Sequence, residues 1–230
     1  MQNDTPAIMV FAAGFGTRMG HLTKAQPKPL IKVAGMPLID RALGLVSEVE
    51  PPRTVVNLHY LPDMLETHLD GQSIITVREE PEILETGGGL RNALPLLQSD
   101  PVLTLNPDVI WSGPNPLKVA LDAWDPDRMD ALLVCIPETR VHGREGGGDF
   151  HVDEGGRLHR GGNLVYGGVQ IMKTARLHNV QQKAFSLNVV WNEMANDGRL
   201  HGVEYPGQWT DVGRPEGIDI AEQMLRNHNV

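Results

Sequence analysis

The chain has 230 residues, of which 40% are hydrophobic and 21% charged, and its formal net charge at pH 7 is −9. A chain of this length can bury a core as one large domain or as two small ones. The acidic balance argues against a nucleic-acid-binding protein, which normally presents a basic surface.

Membrane insertion and secretion are not expected from the hydrophobic pattern. No apolar run reaches the roughly 20 residues that a helix needs to cross a bilayer. The first 14 residues lack the basic region that begins a signal peptide. The single cysteine, Cys135, lies in an apolar segment and cannot form an internal disulfide. These features predict a cytoplasmic protein without a membrane partner.

The first 137 residues alternate between two kinds of apolar pattern. Strand-like runs occupy residues 7–13, 53–59, 73–79, 101–106 and 130–136. Helix-like patterns occupy residues 37–49, 61–69, 87–97 and 116–124. Strict alternation is typical of parallel strands joined by helical crossovers. The sequence therefore predicts an α/β fold of Rossmann-like type, with a mixed, mainly parallel sheet and helices on both faces.

After about residue 137 the pattern changes to short strand-like pieces separated by glycines. Residues 149–152, 158–160 and 164–172 indicate antiparallel hairpins, which we expect to lie over the sheet. A helix at 185–197, a strand at 199–205 and a closing helix at 213–228 follow. We predict a single domain over residues 1–230, with a nucleotide-binding part up to about 137 and a part from about 138 that completes the pocket.

A glycine-rich loop, A-A-G-F-G-T-R-M-G, follows the first predicted strand. Parallel sheets bind ligands at the carboxyl ends of their strands. Gly14 and Gly16 let the backbone turn tightly and present N–H groups to phosphate oxygens, and Arg18 can add a charged contact. The spacing is not that of a P-loop, because Gly20 is followed by His21 and not by a lysine. It is not that of a dinucleotide fingerprint either, because Gly20 comes one residue too late for G-x-G-x-x-G.

A Pro-Lys-Pro segment comes shortly after this loop. Pro27 and Pro29 restrict the backbone on both sides of Lys28. A lysine held in this way is well placed to reach the phosphates that the loop would bind. Taken alone, the glycines are compatible with an ordinary tight turn and Lys28 with a surface lysine; the combination is far more specific.

Together these two motifs resemble the signature of the sugar-1-phosphate nucleotidyltransferases, and the resemblance extends along essentially the whole chain. Within that family the chain is most similar to N-acetylmuramate α-1-phosphate uridylyltransferases, through residues 84–97, 147–150 and 207–216. The resemblance implies the nucleotide-diphospho-sugar transferase fold. It also implies transfer of a nucleotidyl group from a nucleoside triphosphate, UTP, to a sugar 1-phosphate, N-acetylmuramate 1-phosphate, with release of pyrophosphate, in peptidoglycan recycling.

The resemblance also implies roles for individual residues and a Mg2+ cofactor. Catalysis would depend on Arg18, Lys28 and Asp108, and the metal would bind Asp108 and Asp211. The nucleotide would contact Ala12, Ala13, Gly14, Gly16, Thr17, Glu80, Glu85, Gly87 and Gly88, and the sugar would contact Asp149, Tyr166 and Gly168. Two departures from the family pattern are Pro107, where relatives have glycine, and a longer glycine-rich loop at 143–148.

Other interpretations of the residues remain open. An ionised Glu80 can accept a hydrogen bond from uracil or from guanine, so mannose-1-phosphate guanylyltransferase is an alternative. A molybdenum-cofactor nucleotidyltransferase is disfavoured because Pro-Lys-Pro stands where that family has Asp-Lys. A non-catalytic nucleotide-sugar sensor would be expected to have lost Arg18, Lys28, Asp108 or Asp211. The sequence indicates no oligomeric state.

Overall fold

A nine-stranded mixed sheet forms the centre of the protein in a computed structural model, which describes residues 5–228. The described residues form fourteen strands: β1 (Ile8–Phe11), β2 (Lys32–Val33), β3 (Met36–Pro37), β4 (Thr54–Leu58), β5 (Ile75–Arg78), β6 (Val102–Leu105), β7 (Val109–Ser112), β8 (Ala131–Pro137), β9 (Val141–His142), β10 (Phe150–Val152), β11 (Leu158–Arg160), β12 (Leu164–Met172), β13 (Leu200–Glu204) and β14 (Gln208–Asp211).

The same described residues form six α-helices: α1 (Leu38–Ser47), α2 (Pro62–Leu69), α3 (Glu85–Leu97), α4 (Pro116–Ala123), α5 (Asn188–Asn196) and α6 (Glu216–His228). Short 3-10 turns lie at Thr17–Thr23, Lys28–Leu30, Glu138–Arg140 and Ala175–Asn179. Among residues 5–228, no helix combines the length and apolarity that crossing a membrane requires.

Strands β5, β4, β1 and β6 are parallel neighbours in that order, as the alternating pattern predicts. Strand β12 then lies antiparallel between β6 and β8, and β13 is parallel to β8. The predicted α/β fold with a mixed, mainly parallel sheet is therefore confirmed.

Both faces of the central strands are covered, which explains their continuous apolar sequences. In β1, Ile8 and Val10 pack into one buried cluster with residues of α1, α2 and α4. Met9, which points to the opposite face, joins a second cluster with residues of α3 and α5. All three side chains are fully buried, as expected for a strand between two helical layers.

The predicted hairpins after residue 149 extend the sheet and do not lie over it, so that expectation was wrong. The second half of β12 pairs with β6, and its first half continues beyond the end of β6. There β10 pairs with β12 through Phe150 and Leu164, and β11 pairs with β10. The register between β12 and β8 shifts between Tyr166 and Gln170, where Gly168 has a φ of +92°.

A second, three-stranded sheet was not predicted from the sequence. Its central strand, β14, is antiparallel to β7 and parallel to β9. Helix α6 packs against it, with Met224 and Ala221 buried beside Ile110 and Val212. The Trp209 indole N–H donates to the Gly167 carbonyl of β12 at 2.9 Å and ties this small sheet to the large one.

Near the start of α3, Gly87 and Gly88 allow another segment to pack directly on the helix backbone. The N–H groups of Gly87 and Gly88 both donate to the Phe185 carbonyl, at 2.8 and 3.1 Å. An alanine Cβ at Gly87 would lie 2.3 Å from the Phe185 ring, and one at Gly88 would lie 2.4 Å from the Lys183 carbonyl oxygen. Any side chain at these positions would separate α3 from this segment.

This packing predicts opposite effects for two helical glycines. Gly88→Ala should destabilise the protein by about 1–3 kcal/mol, because the new methyl group meets a backbone oxygen. Gly44→Ala in α1 is the matched control: its Cβ would meet nothing within 4 Å, so we expect a gain of about 0.5–1 kcal/mol. Urea unfolding of both variants measures the difference, and a neutral Gly88→Ala would contradict the packing.

Candidate active site

Three adjoining cavities open at the carboxyl ends of the parallel strands, and Asp108 lines all three. The α3 cavity, of about 210 Å³, includes Ala13, Gly14, Asn57, Glu85 and Thr86. The glycine-loop cavity, of about 240 Å³, includes Ala12, Gly14, Gly16, Thr17, Arg18 and Lys28. The arginine cavity, of about 380 Å³, includes Arg18, Arg144, Asp149, Tyr166, Asp211 and Arg214.

The glycine-rich loop forms one wall of the first two cavities. It begins where β1 ends, and the Ala12 N–H donates to the Asn57 side-chain oxygen at 2.8 Å. Gly16 has a φ of +63°, and its carbonyl accepts hydrogen bonds from the Met19 N–H and the Thr23 hydroxyl. Ala12, Ala13, Gly14, Gly16 and Thr17 line these two cavities, and their contact with phosphate stays a prediction.

Lys28 is not a surface lysine. It begins the 3-10 turn Lys28–Leu30 after an extended Pro27, and only 8% of the residue is exposed. An alanine Cβ at Gly16 would lie 2.9 Å from the Lys28 Cβ, so the glycine is what lets the lysine stem pass close to the loop. The ammonium group donates to the Asp108 carboxylate at 2.5 Å.

Asp108 and Asp211 are brought together by the pairing of β7 with β14. Asp211 lies opposite Val109 in this antiparallel pair, and the Val212 N–H donates to the Asp108 carbonyl at 3.0 Å. Both carboxylates therefore line the arginine cavity. Pro107 does not prevent this arrangement, since the turn after β6 still directs Asp108 toward Lys28.

The electrostatic environment of Asp211 suits a cation. Burial raises the pKa of the Asp211 carboxyl, and the neighbouring charge of Asp108 raises it further, while Lys28, Arg18 and Arg144 act in the opposite direction. A divalent cation between the two carboxylates would relieve this repulsion, and Mg2+ commonly binds one or two carboxylates together with phosphate oxygens. The donor set at this position therefore fits Mg2+.

Residues 5–228 contain no group of three or more histidine, cysteine, aspartate or glutamate side chains placed to hold a metal. An ion at Asp108 and Asp211 would take its remaining ligands from water and phosphate oxygens. Such incomplete protein coordination is usual for Mg2+ in phosphoryl-transfer sites.

Glu79 connects the glycine-rich loop to the start of α3, a role that the sequence analysis missed. It is only 1% exposed. One carboxylate oxygen accepts from the Asn57 amide at 2.6 Å, and the other accepts from the Leu84 N–H at 2.7 Å. Asn57 in turn holds Ala12, so a chain of side-chain hydrogen bonds joins two walls of the α3 cavity.

The predicted nucleotide contacts near α3 are only partly brought together. Glu85 lines the α3 cavity beside Thr86. Gly87 and Gly88 are buried beneath the segment around Phe185, and their N–H groups are already bonded, which corrects the expectation that they approach the base. Glu80 is exposed and lines a neighbouring cavity with His59, so its contact with the base stays a prediction.

The three predicted sugar contacts all line the arginine cavity. Asp149 is held by a bidentate ion pair with Arg144, at 2.7 and 2.9 Å, and it also accepts from the Tyr166 N–H at 3.0 Å. An alanine Cβ at Gly168 would lie 2.8 Å from the Asn106 Cβ, so this glycine permits a close approach of β12 to the turn before Asp108.

Several further residues of this cavity were not identified from the sequence, among them Asn106, Arg144 and Arg214. The arginines had a recognisable signal, since each lies in a glycine-containing segment already associated with the site, G-R-E-G-G-G and D-V-G-R. Asn106 had none, because it precedes Pro107 in an ordinary strand-to-turn sequence.

The raised pKa of Asp211 predicts that the side chain reduces stability in the ligand-free protein. The folded state retains the proton more readily than the unfolded chain, so stability falls as pH rises from 3.8, the ordinary value, through the raised folded pKa. We expect Asp211→Asn, which cannot ionise, to raise the melting temperature at pH 7 without metal. The gain should shrink as the pH is lowered toward 3.8.

Asp70→Asn is the control, because Asp70 is exposed just after α2 and outside the three cavities. Melting temperatures of both variants and the wild type across this pH range provide the measurement. A lower melting temperature for Asp211→Asn at pH 7 would contradict the repulsion between Asp108 and Asp211.

Comparisons with known proteins agree with this site. The MobA-like NTP transferase domain matches residues 8–159. The chain is 39% identical to the N-acetylmuramate alpha-1-phosphate uridylyltransferase of Caulobacter vibrioides, over 94% of this chain and 96% of the relative. It is 31% identical to the protein of the same name from Neisseria meningitidis, over 89% of this chain and 92% of the relative.

The fold also agrees with a solved structure, that of the inositol-1-phosphate CTP transferase from T. maritima. The two align with a TM-score of 0.79 over 98% of this chain and 97% of that one, at 18% sequence identity, which establishes the shared fold. The resemblance drawn from G-x-G-T-R and P-K-P is thereby confirmed. The chain belongs to the MobA-like NTP transferase family and is a sugar-1-phosphate nucleotidyltransferase.

Proposed function

We propose that the protein transfers the uridylyl group of UTP to N-acetylmuramate 1-phosphate, which yields UDP-N-acetylmuramate and pyrophosphate. The observation that carries the proposal is the convergence of Lys28, Asp108, Asp211 and Arg18 where the glycine-loop and arginine cavities meet. The choice of UTP and N-acetylmuramate 1-phosphate is supported by the names of the two relatives.

The arrangement of the cavities suggests how two substrates meet. The base would enter the α3 cavity, the triphosphate would lie along the glycine-loop cavity, and the sugar phosphate would occupy the arginine cavity. Residues up to about 137 would thus bind mainly the nucleotide, and residues from about 138 mainly the sugar. Asp108 lies at the junction, close to where the α-phosphorus must be attacked.

The reaction needs little more than positioning and charge neutralisation. A phosphate oxygen of the sugar 1-phosphate, already an anion, forms a bond to the α-phosphorus of UTP. The bond from that phosphorus to the bridging oxygen of the β-phosphate breaks, and pyrophosphate leaves with the electron pair. No protein base is required, which agrees with a junction formed by glycine, arginine, lysine and aspartate.

Each group at the junction has a defined task in this proposal. N–H groups of the glycine-rich loop and the Arg18 guanidinium would bind phosphate oxygens. Lys28, which pairs with Asp108 in the ligand-free protein, would turn its ammonium group to the phosphates. Asp108 and Asp211 would hold Mg2+, which when bound neutralises charge on the phosphates. A nucleoside triphosphate substrate and a product destined for peptidoglycan recycling imply a cytoplasmic location.

Pyrophosphate release with Mg2+ tests the proposal directly. UTP, GTP, CTP and dTTP are each combined with N-acetylmuramate, N-acetylglucosamine, glucose and mannose 1-phosphates. We expect the highest kcat/KM with UTP and N-acetylmuramate 1-phosphate. A preference for GTP and mannose 1-phosphate would retain the reaction and overturn both substrates, and nucleotide binding without turnover of any pair would favour a sensor.

Removing either member of the Lys28–Asp108 pair should abolish most of the turnover. We expect Lys28→Ala and Asp108→Asn each to reduce kcat by about 100- to 1,000-fold, the usual cost of removing one charge-stabilising group. Lys118→Ala is the control, because Lys118 is an exposed lysine that also pairs with a carboxylate, that of Glu48. Steady-state kinetics measures the effect, with melting temperatures to establish that the variants fold; near wild-type kcat would remove the residue from the mechanism.

A further inference from the structure

An ion pair between Arg214 and Glu145 crosses the rim of the arginine cavity. The Arg214 guanidinium donates to the Glu145 carboxylate at 2.8 Å. Their side chains are 49% and 75% exposed, so the pair is solvated and contributes little to stability. Arg214 lies three residues after Asp211, whereas Glu145 belongs to the glycine-rich loop at 143–148 that is longer than the resembled family's pattern.

Arg214 is the arginine of this cavity that is most readily available to a ligand. Three arginines line the cavity: Arg18, Arg144 and Arg214. Arg144 is committed to Asp149 through both terminal nitrogens, and that pair is less exposed. Arg18 also lines the glycine-loop cavity, where the proposed function assigns it to phosphate. Among the residues that the structure describes, the Arg214 guanidinium has only the exposed Glu145 carboxylate as its partner, and water can replace that partner at little cost.

We propose that Arg214 binds a carboxylate of the sugar substrate, and that Glu145 occupies the same guanidinium until the substrate arrives. This inference rests on the proposed function, because N-acetylmuramate carries a lactyl ether carboxylate that N-acetylglucosamine lacks. A planar guanidinium matches a carboxylate with two parallel hydrogen bonds. Exchange of Glu145 for the substrate group replaces one ion pair by another and leaves no buried charge unpaired.

The loop that carries Glu145 is anchored at both ends and open in its middle. An alanine Cβ at Gly143 would lie 2.5 Å from the Asp211 carbonyl oxygen, so the loop begins in close contact with the strand that carries Asp211. At its far end, an alanine Cβ at Gly148 would lie 2.4 Å from the Gly162 carbonyl oxygen. At Gly146, which has a φ of +107°, a Cβ would meet nothing within 4 Å. Glu145 can therefore leave Arg214 by a local movement that does not disturb Asp211.

Two variants test this exchange with opposite expected signs. The measured quantity is the preference for N-acetylmuramate 1-phosphate over N-acetylglucosamine 1-phosphate with UTP. Each affinity is taken as KM, or as an inhibition constant where the sugar phosphate is not turned over. Arg214→Gln should reduce the preference about tenfold or more, the value of one charge-assisted contact. Glu145→Gln should increase it several-fold, because the competing carboxylate is gone.

Arg140→Gln is the matched control. Arg140 forms a similarly exposed ion pair with Glu204 at 3.4 Å, and it does not line the arginine cavity. We expect this variant to leave the preference unchanged. Melting temperatures of all three variants show whether any change reflects folding.

The outcomes separate this inference from the proposed function. A wild type that uses N-acetylmuramate 1-phosphate, with Arg214→Gln retaining the full preference, overturns the inference alone. Separately, if Glu145→Gln lowers the preference for N-acetylmuramate 1-phosphate over N-acetylglucosamine 1-phosphate, the proposed role of Glu145 is wrong. A wild type that does not bind N-acetylmuramate 1-phosphate overturns the proposed function and the inference together.

Discussion

The antiparallel pairing of β7 with β14 is the constraint on which the site depends. These are strands of four residues each, yet their register places Asp211 opposite Val109 and bonds Val212 to Asp108. The two carboxylates are held at the same cavity although they lie far apart in the sequence. Helix α6 covers this small sheet, and the Trp209 indole anchors it to β12. Backbone hydrogen bonds thus hold the two carboxylates close enough to repel each other, and the charges of Lys28, Arg18 and Arg144 oppose this repulsion.

Side-chain hydrogen bonds perform the corresponding task at the α3 cavity. The Asn57 amide holds the Ala12 N–H with its oxygen and the Glu79 carboxylate with its nitrogen. Glu79 extends the connection to the start of α3. Because both polar groups are buried, loss of one partner would leave the other unsatisfied, which is costly. The loop that presents backbone N–H groups is therefore positioned by neighbouring strands and not only by its glycines.

The sequence was sufficient to predict the central fold and most residues at the junction. The apolar patterns of β1, β4 and β6 are recognisable because helix-like patterns separate them, and G-x-G-T-R with P-K-P is specific. The small sheet was missed because the pairing of β7, β9 and β14 depends on contacts between segments that lie far apart in the sequence. Gly87 and Gly88 were wrongly assigned to nucleotide binding. A sequence does not distinguish a glycine that leaves room for a ligand from one that leaves room for a neighbouring segment, here the one around Phe185. Glu79 acts through Asn57, a partner on another strand that no local pattern specifies.

The antiparallel insertion of β12 has a consequence for the order of folding during synthesis. Until residues 164–172 leave the ribosome, β6 has one unpaired edge, since β12 is its neighbour on that side. A nascent chain that ends before this point contains Lys28 and Asp108 but neither Asp211 nor the strand that positions it. Pairings between segments so distant in the chain form late because the intervening loop must first be closed. The growing chain therefore cannot assemble the paired carboxylates before residues 208–211 have been synthesised.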